Sequence, residues 1–341
     1  MNSSLRMALL AAALAAPAAH GRLSGLGGPS APQPVLRVVA DVPLPGPPVR
    51  FGHLSFDVGR DRLYIAHMGA GRIVVFDLKN RRVVTTIAGM PGVTGVRAVP
   101  SLRRLYASVT RLHQVSVMDE GSLQLLARLG HIGFPNGIAY APDQRKIYVA
   151  DEGGGGLLVI DARADTVLHT VDIDGEAAQT LFDPGSRCIL VAMPARNELY
   201  VIDPATERIL GRFELPGSAR PHGLAIDVAR RRAFVASEGN ARLLTVDLRT
   251  MRVIDTEQIG DAPDALAFDP LWRRLYVASE TGVVSAFTET STGLAHDGDI
   301  ALPHAHVVGV DPRTHLVYLP LQDVGGRPVL RIMASDPPGG R

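Results

Sequence analysis

Leu63-Tyr-Ile-Ala, Leu105-Tyr-Ala-Ser, Ile147-Tyr-Val-Ala, Ile189-Leu-Val-Ala, Ala233-Phe-Val-Ala, Leu275-Tyr-Val-Ala and Val317-Tyr-Leu-Pro are seven versions of one short apolar run. Their successive starts differ by 42, 42, 42, 44, 42 and 42 residues. A period of about 40–50 residues built from short strands is the mark of a β-propeller, in which each unit stacks on its neighbours to bury both faces of its sheet. The reading is therefore all-β: a seven-bladed β-propeller of four-stranded blades. It is one domain, although 341 residues would otherwise suggest two.

Blade 5 shows the unit. Gly223 to Asp227 reads as the inner strand A and Arg230 to Arg232 as a polar turn. Ala233 to Ala236 reads as B, Leu243 to Asp247 as C, and Arg252 to Gln258 as a more polar outer strand D. Short β-rich runs bounded by Gly, Pro, Asp and Asn carry this signal, and polarity suits an edge strand. Asp57, Asp183, Asp227, Asp269 and Asp311 each stand six residues before a B strand. Asp77, Asp119, Asp161, Asp203 and Asp247 close the C strands, with Glu289 in the next place. An Asp at a strand end caps the following turn through its side-chain oxygen, so these residues read as structural. Blade 7 has A, B and C strands at Val307–Asp311, Leu316–Leu319 and Val329–Ile332 but no fourth. The orphan strand Val35–Val42 fills that place, so the last blade is closed by the N-terminal strand and no edge is left unpaired.

The flanks read differently. Arg6 and the apolar run Met7 to Ala16, followed by small residues near Ala19, form a signal peptide over 1–21; the alternative is an uncleaved anchor. Residues 22–34 read as a linker, 35–333 as the propeller and 334–341 as a disordered tail. The expected location is periplasmic or secreted, with no membrane span left after cleavage. The single cysteine, Cys188, lies in an apolar strand and excludes an intramolecular disulfide. Basic and acidic residues number 35 and 34, which excludes the basic excess of a dedicated nucleic-acid binder. The repeated Tyr64, Tyr106, Tyr148, Tyr276 and Tyr318 read as inter-blade core rather than as a stacking platform for bases.

Topology also locates a site. Strand A lines the channel, and the loops entering A and leaving B share one face, so the residues at those two places form a rim around the channel mouth. That rim offers His53, His67, Asn136, Glu152, His222, Glu238, Asp264, Glu280 and His306, with Thr94 and Gln179 beside them. Convergent polar groups at a concave mouth are the default ligand site. The two extra residues of the 44-residue interval fall in the loop Glu214–Arg220, beside His222. His222, His306 and Glu238 are the metal candidates, with the donor types zinc accepts; Asn136, Asp264 and Glu238 offer a harder oxygen set. Both are set against a hydrated mixed-charge rim. No cofactor is specified beyond such a divalent metal. Glu152-Gly-Gly-Gly-Gly-Leu157 lacks the following helix that a phosphate loop needs and reads as a flexible B–C loop. Arg97, in strand A of blade 2, faces either an anionic ligand or a salt-bridge partner. No Gly-x-Ser-x-Gly elbow is present.

Pro135-Asn-Gly-Ile-Ala139 with Ile147-Tyr-Val-Ala-Asp151 and Leu158-Val-Ile-Asp161, repeated at Pro221-His-Gly-Leu-Ala225 and Pro263-Asp-Ala-Leu-Ala267, resembles the YVTN-type, YncE-like family of seven-bladed propellers of microbial envelopes. Blades 2 and 7 depart from the motif; Val96-Arg-Ala-Val-Pro100 lacks the turn Asp. The resemblance covers about residues 35–333 and implies a fold rather than a chemistry. On it, the expected role is an exported, monomeric binding or scaffolding module whose partner is a small molecule or an envelope protein. The alternative is a metal-assisted hydrolase or lyase of the lactonase-like propeller type, using the rim His and carboxylates. A part in electron transfer or cofactor maturation rests on family analogy alone.

Overall fold

The computed structural model describes residues 35–337. The signal peptide and linker expected at 1–34, and residues 338–341, lie outside that range. The described chain forms seven antiparallel four-stranded sheets. In blade 5 the strands are Pro221–Asp227, Arg232–Ser237, Arg242–Asp247 and Arg252–Gln258, in that order from the axis outward. Strand D alternates exposed and half-buried positions along its length, as a strand with one face in water does.

The seventh blade is composite. Its A, B and C strands are Gly309–Val310, Leu316–Leu321 and Val329–Ala334, and its D strand is Arg37–Pro43, paired antiparallel with Val329–Ala334. Arg331 donates to both carboxylate oxygens of Asp41, at 2.8 and 2.6 Å, across this pairing. Beyond this pairing, Ser335 is buried and hydrogen-bonded to the Tyr276 hydroxyl at 3.0 Å.

Seven apolar clusters hold the ring, one at each seam between neighbouring blades. The repeated B-strand Tyr64, Tyr106, Tyr148, Tyr276 and Tyr318, with Phe234, are all buried in these seams. Cys188 is free and buried. The periodic Asp residues cap turns. Asp227 accepts from the Ala229 N–H at 2.9 Å and Asp247 from the Arg249 N–H at 2.7 Å; those N–H donors hold Asp247 below the usual carboxylate range. Each A–B turn then passes one residue through the left-handed region, as at Asp61, Arg145, Arg231 and Arg273. Blade 2, lacking the Asp, makes the same turn with Pro100 at its first position and Arg103 left-handed.

Two turn residues do more than their repeat position suggests. Arg231 reaches the preceding blade and donates to both oxygens of the buried Asp183 at 2.7 Å. Among the described residues Glu289 accepts no turn N–H; it is buried against Arg232 at 3.0 Å and Arg230 at 3.2 Å, both from blade 5. Among the described residues, no helix is long and apolar enough to cross a membrane.

Candidate functional site

In blades 2, 3, 5 and 6 one backbone hydrogen bond brings the two halves of the rim together. The residue after strand B donates its N–H to the carbonyl just ahead of strand A: Glu152 to Phe134 at 3.0 Å, Glu238 to Arg220 at 2.9 Å, and Glu280 to Ala262 at 2.9 Å. Each B-exit carboxylate is thereby fixed beside an A-entry side chain, namely Asn136, His222 and Asp264. The glycine following Asn136 and His222 sets how closely the blades approach. A Cβ on Gly223 would stand 2.6 Å from the Asp264 carbonyl oxygen, and one on Gly137 2.9 Å from the Thr180 nitrogen. Only glycine fits that spacing, which is the physical content of the Asn-Gly and His-Gly pairs.

The result is a cavity of about 150 Å³ at the channel mouth. His53, Asn136, Glu152, His222, Glu238, Asp264 and Glu280, seven of the nine rim candidates, line it. Asn136 Nδ2 donates to Glu152 Oε1 at 2.5 Å, and His222 Nε2 meets the same oxygen at 3.2 Å. His222 Nδ1 lies 3.8 Å from Asp264 Oδ1. Arg50 donates to Glu280 at 2.7 Å through one terminal nitrogen; the other meets the second Glu280 oxygen and lies 3.5 Å from Asp264.

These contacts set the charge states. Burial by itself would depress His222, but the hydrogen bond to Glu152 and the charges of Asp264, Glu152 and Glu238 outweigh it and raise the imidazole to about 9. His53 goes the other way, since burial lowers it and Asp264 offsets only part of that. Asp264 would be raised by burial, yet the surrounding His53, His222, His306 and Arg50 hold it below the usual carboxylate range.

The other two candidates lie off the cavity wall. His67 is fully buried, stacked on Phe51 at a centroid distance of 4.2 Å, with the Gly46 loop against its ring. His306 is also buried; its Nε2 donates to the Phe51 carbonyl at 3.0 Å. The metal candidates are consequently redistributed. His222 turns to Glu152 and Asp264, whereas His306 approaches Asp264 and Glu280, their ligating atoms all within 4.8 Å of one another. Donation from Nε2 leaves Nδ1 of a neutral His306 as the lone-pair nitrogen, the arrangement seen in metal-ligating histidines. Arg50 already contacts both carboxylates, so a cation there competes with a guanidinium.

Arg50 is the residue the repeat reading missed. It stands three positions before His53, whereas the carbonyl acceptors Phe134 and Arg220 stand two before their A-entry residues, yet its own carbonyl accepts from the Gly69 N–H in the same way. Its place in the loop entering strand A was the available signal. The glycine run follows Asp151 at the exit of strand B. The Asp151 carboxylate accepts N–H bonds from Gly133, Phe134 and Gly153 at 2.9, 2.7 and 2.8 Å. Gly153 at the start of the glycine run thus shares the Asp151 carboxylate with Gly133 and Phe134 of the loop entering strand A. The inserted loop lies at the same rim, where Ser218 Oγ meets Ser237 Oγ at 2.7 Å.

The fold and mouth define a seven-bladed β-propeller with a polar cavity at one end of its channel. No protein-family model matches the chain. It is similar to antigen Lp49 of Leptospira interrogans, 22% identical over 247 residues, covering 64% of this chain and 52% of that protein. It is also similar to the uncharacterized protein YncE of Salmonella typhimurium, 26% identical over 150 residues and 42% of each chain. The uncharacterized protein YncE of Escherichia coli O157:H7 is 29% identical over 147 residues, 38% of this chain and 40% of that one. The matches thus span about half or less of these relatives. Together with the seven-bladed fold they support the likeness to YncE-like propellers. Among solved structures, Kuenenia stuttgartiensis hydrazine synthase has a chain matching with a TM-score of 0.70 at 16% identity, covering 84% of this chain and 96% of that one. A chain of the mitotic checkpoint complex matches with a TM-score of 0.76 at 13% identity, covering 97% and 100%. At these identities the likeness is one of fold.

Proposed function

We propose that this propeller is an exported binding module, periplasmic or secreted and monomeric, that engages its ligand in the cavity at the channel mouth. The observation that carries this reading is the charge of that cavity. Four carboxylates, Glu152, Glu238, Asp264 and Glu280, face Arg50 and the His222 imidazolium, and Arg220 stands 3.7 Å from Glu238; four minus three leaves an excess of one negative charge. Such a mouth selects a ligand with a cationic, hydrogen-bond-donating group: the ammonium or guanidinium of a small molecule, or of a side chain presented by an envelope protein. The test is a thermal-shift and calorimetric titration with simple primary amines and guanidines at low salt. A saturable response is expected in the wild-type protein and lost in Glu280→Gln with Asp264→Asn. An identical response in that double variant refutes the site. Export is checked by N-terminal sequencing of the protein from its native host; a start between Ala19 and Leu23 is expected, and retention of Met1 refutes it.

The approach of Asp264, Glu280 and His306 favours one second reading, the metal-assisted hydrolase or lyase. There, a divalent metal would displace Arg50 and gather these three ligands. Metal analysis of protein purified without added metal separates the two: a stoichiometric metal lost in Asp264→Asn favours the second, its absence the first.

A further inference from the structure

Below the mouth, the A strands enclose a channel of about 390 Å³ that shares His53, Asn136 and Asp264 with the rim cavity. Much of its remaining wall is glycine and aliphatic, including Gly95, Val96, Gly137 and Ile138. Arg97, from the A strand Val93–Val99, lines it. Several arginines of the repeat that are mostly buried do meet carboxylates: Arg104 reaches Asp165 at 2.9 Å, Arg231 Asp183 at 2.7 Å, and Arg232 Glu289 at 3.0 Å. Arg97 meets none among the described residues, and its Nε is buried without a hydrogen-bond partner. Burial pulls its guanidinium below the ordinary value, and no carboxylate charge offsets this.

A guanidinium stays charged in proteins, and an unbalanced charge in a confined channel is costly. The salt-bridge alternative for this residue has no partner in the described chain. Two further polar groups stand along the same wall. Gln179 brings a side-chain amide, and the buried Asn136 Oδ1 has no hydrogen-bond partner, which suits a hydroxyl or N–H donor carried by a ligand. We propose that the central channel is a binding site for a small oxyanion, the carboxylate or phosphate group of a small molecule, gripped by the Arg97 fork. Planar, two-pronged donation is what a guanidinium offers either group. The site adjoins the rim cavity and shares Asn136 and Asp264 with it, but its test uses only anions and Arg97.

The test titrates the full chain with inorganic phosphate and, separately, with acetate, at low and constant ionic strength, by calorimetry and thermal melting. Saturable binding of at least one probe is expected, weakened at least tenfold in Arg97→Gln and partly retained in Arg97→Lys. Saturation by phosphate alone assigns a phosphate group, and by acetate alone a carboxylate. Phosphate also stabilises folded proteins by exclusion from their surfaces. A rise in melting temperature that is equal in wild type and Arg97→Gln is that effect and overturns the proposal. Should Arg97→Gln fail to fold, the wild-type calorimetry still decides, since no saturable heat with either probe overturns it.

Discussion

His222 gives the sharpest handle on the mouth. Its imidazole is held at about 9 against an ordinary 6.5, with burial opposed by the Glu152 hydrogen bond and the nearby Asp264 and Glu238. At about 1.4 kcal/mol per tenfold change in proton affinity, that preference for the charged form is worth about 3 kcal/mol. The sign follows from which state holds the proton more tightly. Below the unfolded value near 6.5, both states are protonated and the stabilisation is fully present. As pH rises towards 9 the unfolded chain releases the proton while the folded chain keeps it, and the contribution is lost. Denaturant unfolding of wild type and His222→Gln at several pH values between 6 and 9.5 isolates this, because the other titrations cancel in the difference. The stability gap should shrink by about 3 kcal/mol across that window. The His222 ring signal in NMR, identified by its absence from His222→Gln, should titrate near 9 and drop towards 6.5 in Glu152→Gln. A wild-type midpoint near 6.5, or a gap unchanged with pH, refutes the electrostatic picture of the mouth.

Two predictions concern the scaffold. Leu44 follows the closing strand and is buried against Phe51, Leu63, Leu330 and Ile332 at the seam of blades 7 and 1, so Leu44→Ala should cost about 2–5 kcal/mol in denaturant unfolding; deletion of residues 22–45 should be more damaging still, and an unchanged midpoint in either contradicts closure by the N-terminal strand. Glu120 is buried where one arginine, Arg60, serves both it and Asp57, at 3.2 and 3.1 Å; burial and then the Asp57 charge raise it to about 7, so stability should fall as pH rises from about 4.5 to about 7, by up to about 3 kcal/mol, and Glu120→Gln should flatten that slope in melts across the range.

What was legible in the sequence was whatever the repeat enforces. Blade 5 strand D, Arg252–Gln258, was placed residue for residue, and its other strands to within two, because every blade must bury the same positions between the same neighbours. The rim was legible because the entry to A and the exit from B share a face in any propeller, which is why Asn136, Glu152, His222, Asp264 and Glu280 came together. Side-chain partnerships across blades were not legible. Asp183 and Arg231 lie 48 positions apart, and nothing local distinguishes that pair from two solvated turn residues. The same holds for His67 and His306, which occupy rim positions but turn inward to the Phe51 ring and the Phe51 carbonyl. Periodicity sets where a backbone position lies; whether its side chain points to water or into the seam depends on neighbours contributed by another blade.

Along the propeller axis, carboxylates give way to a guanidinium below the shared Asp264. The mouth holds an excess of carboxylate, and the adjoining channel holds the unpaired Arg97. If both readings hold, a single ligand with a cationic head and an anionic tail satisfies the two at once, and its attachment at one end places the other end at high effective concentration. The span between the two charges is then a property the protein selects. A series of ω-amino carboxylates of increasing chain length tests this directly by calorimetry. Affinity should pass through a maximum at one length, exceed that of a simple amine or of acetate, and fall back to that of the amine in Arg97→Gln. A flat dependence on length, with each compound no tighter than its separate halves, would show that the mouth and the channel act as two unconnected sites.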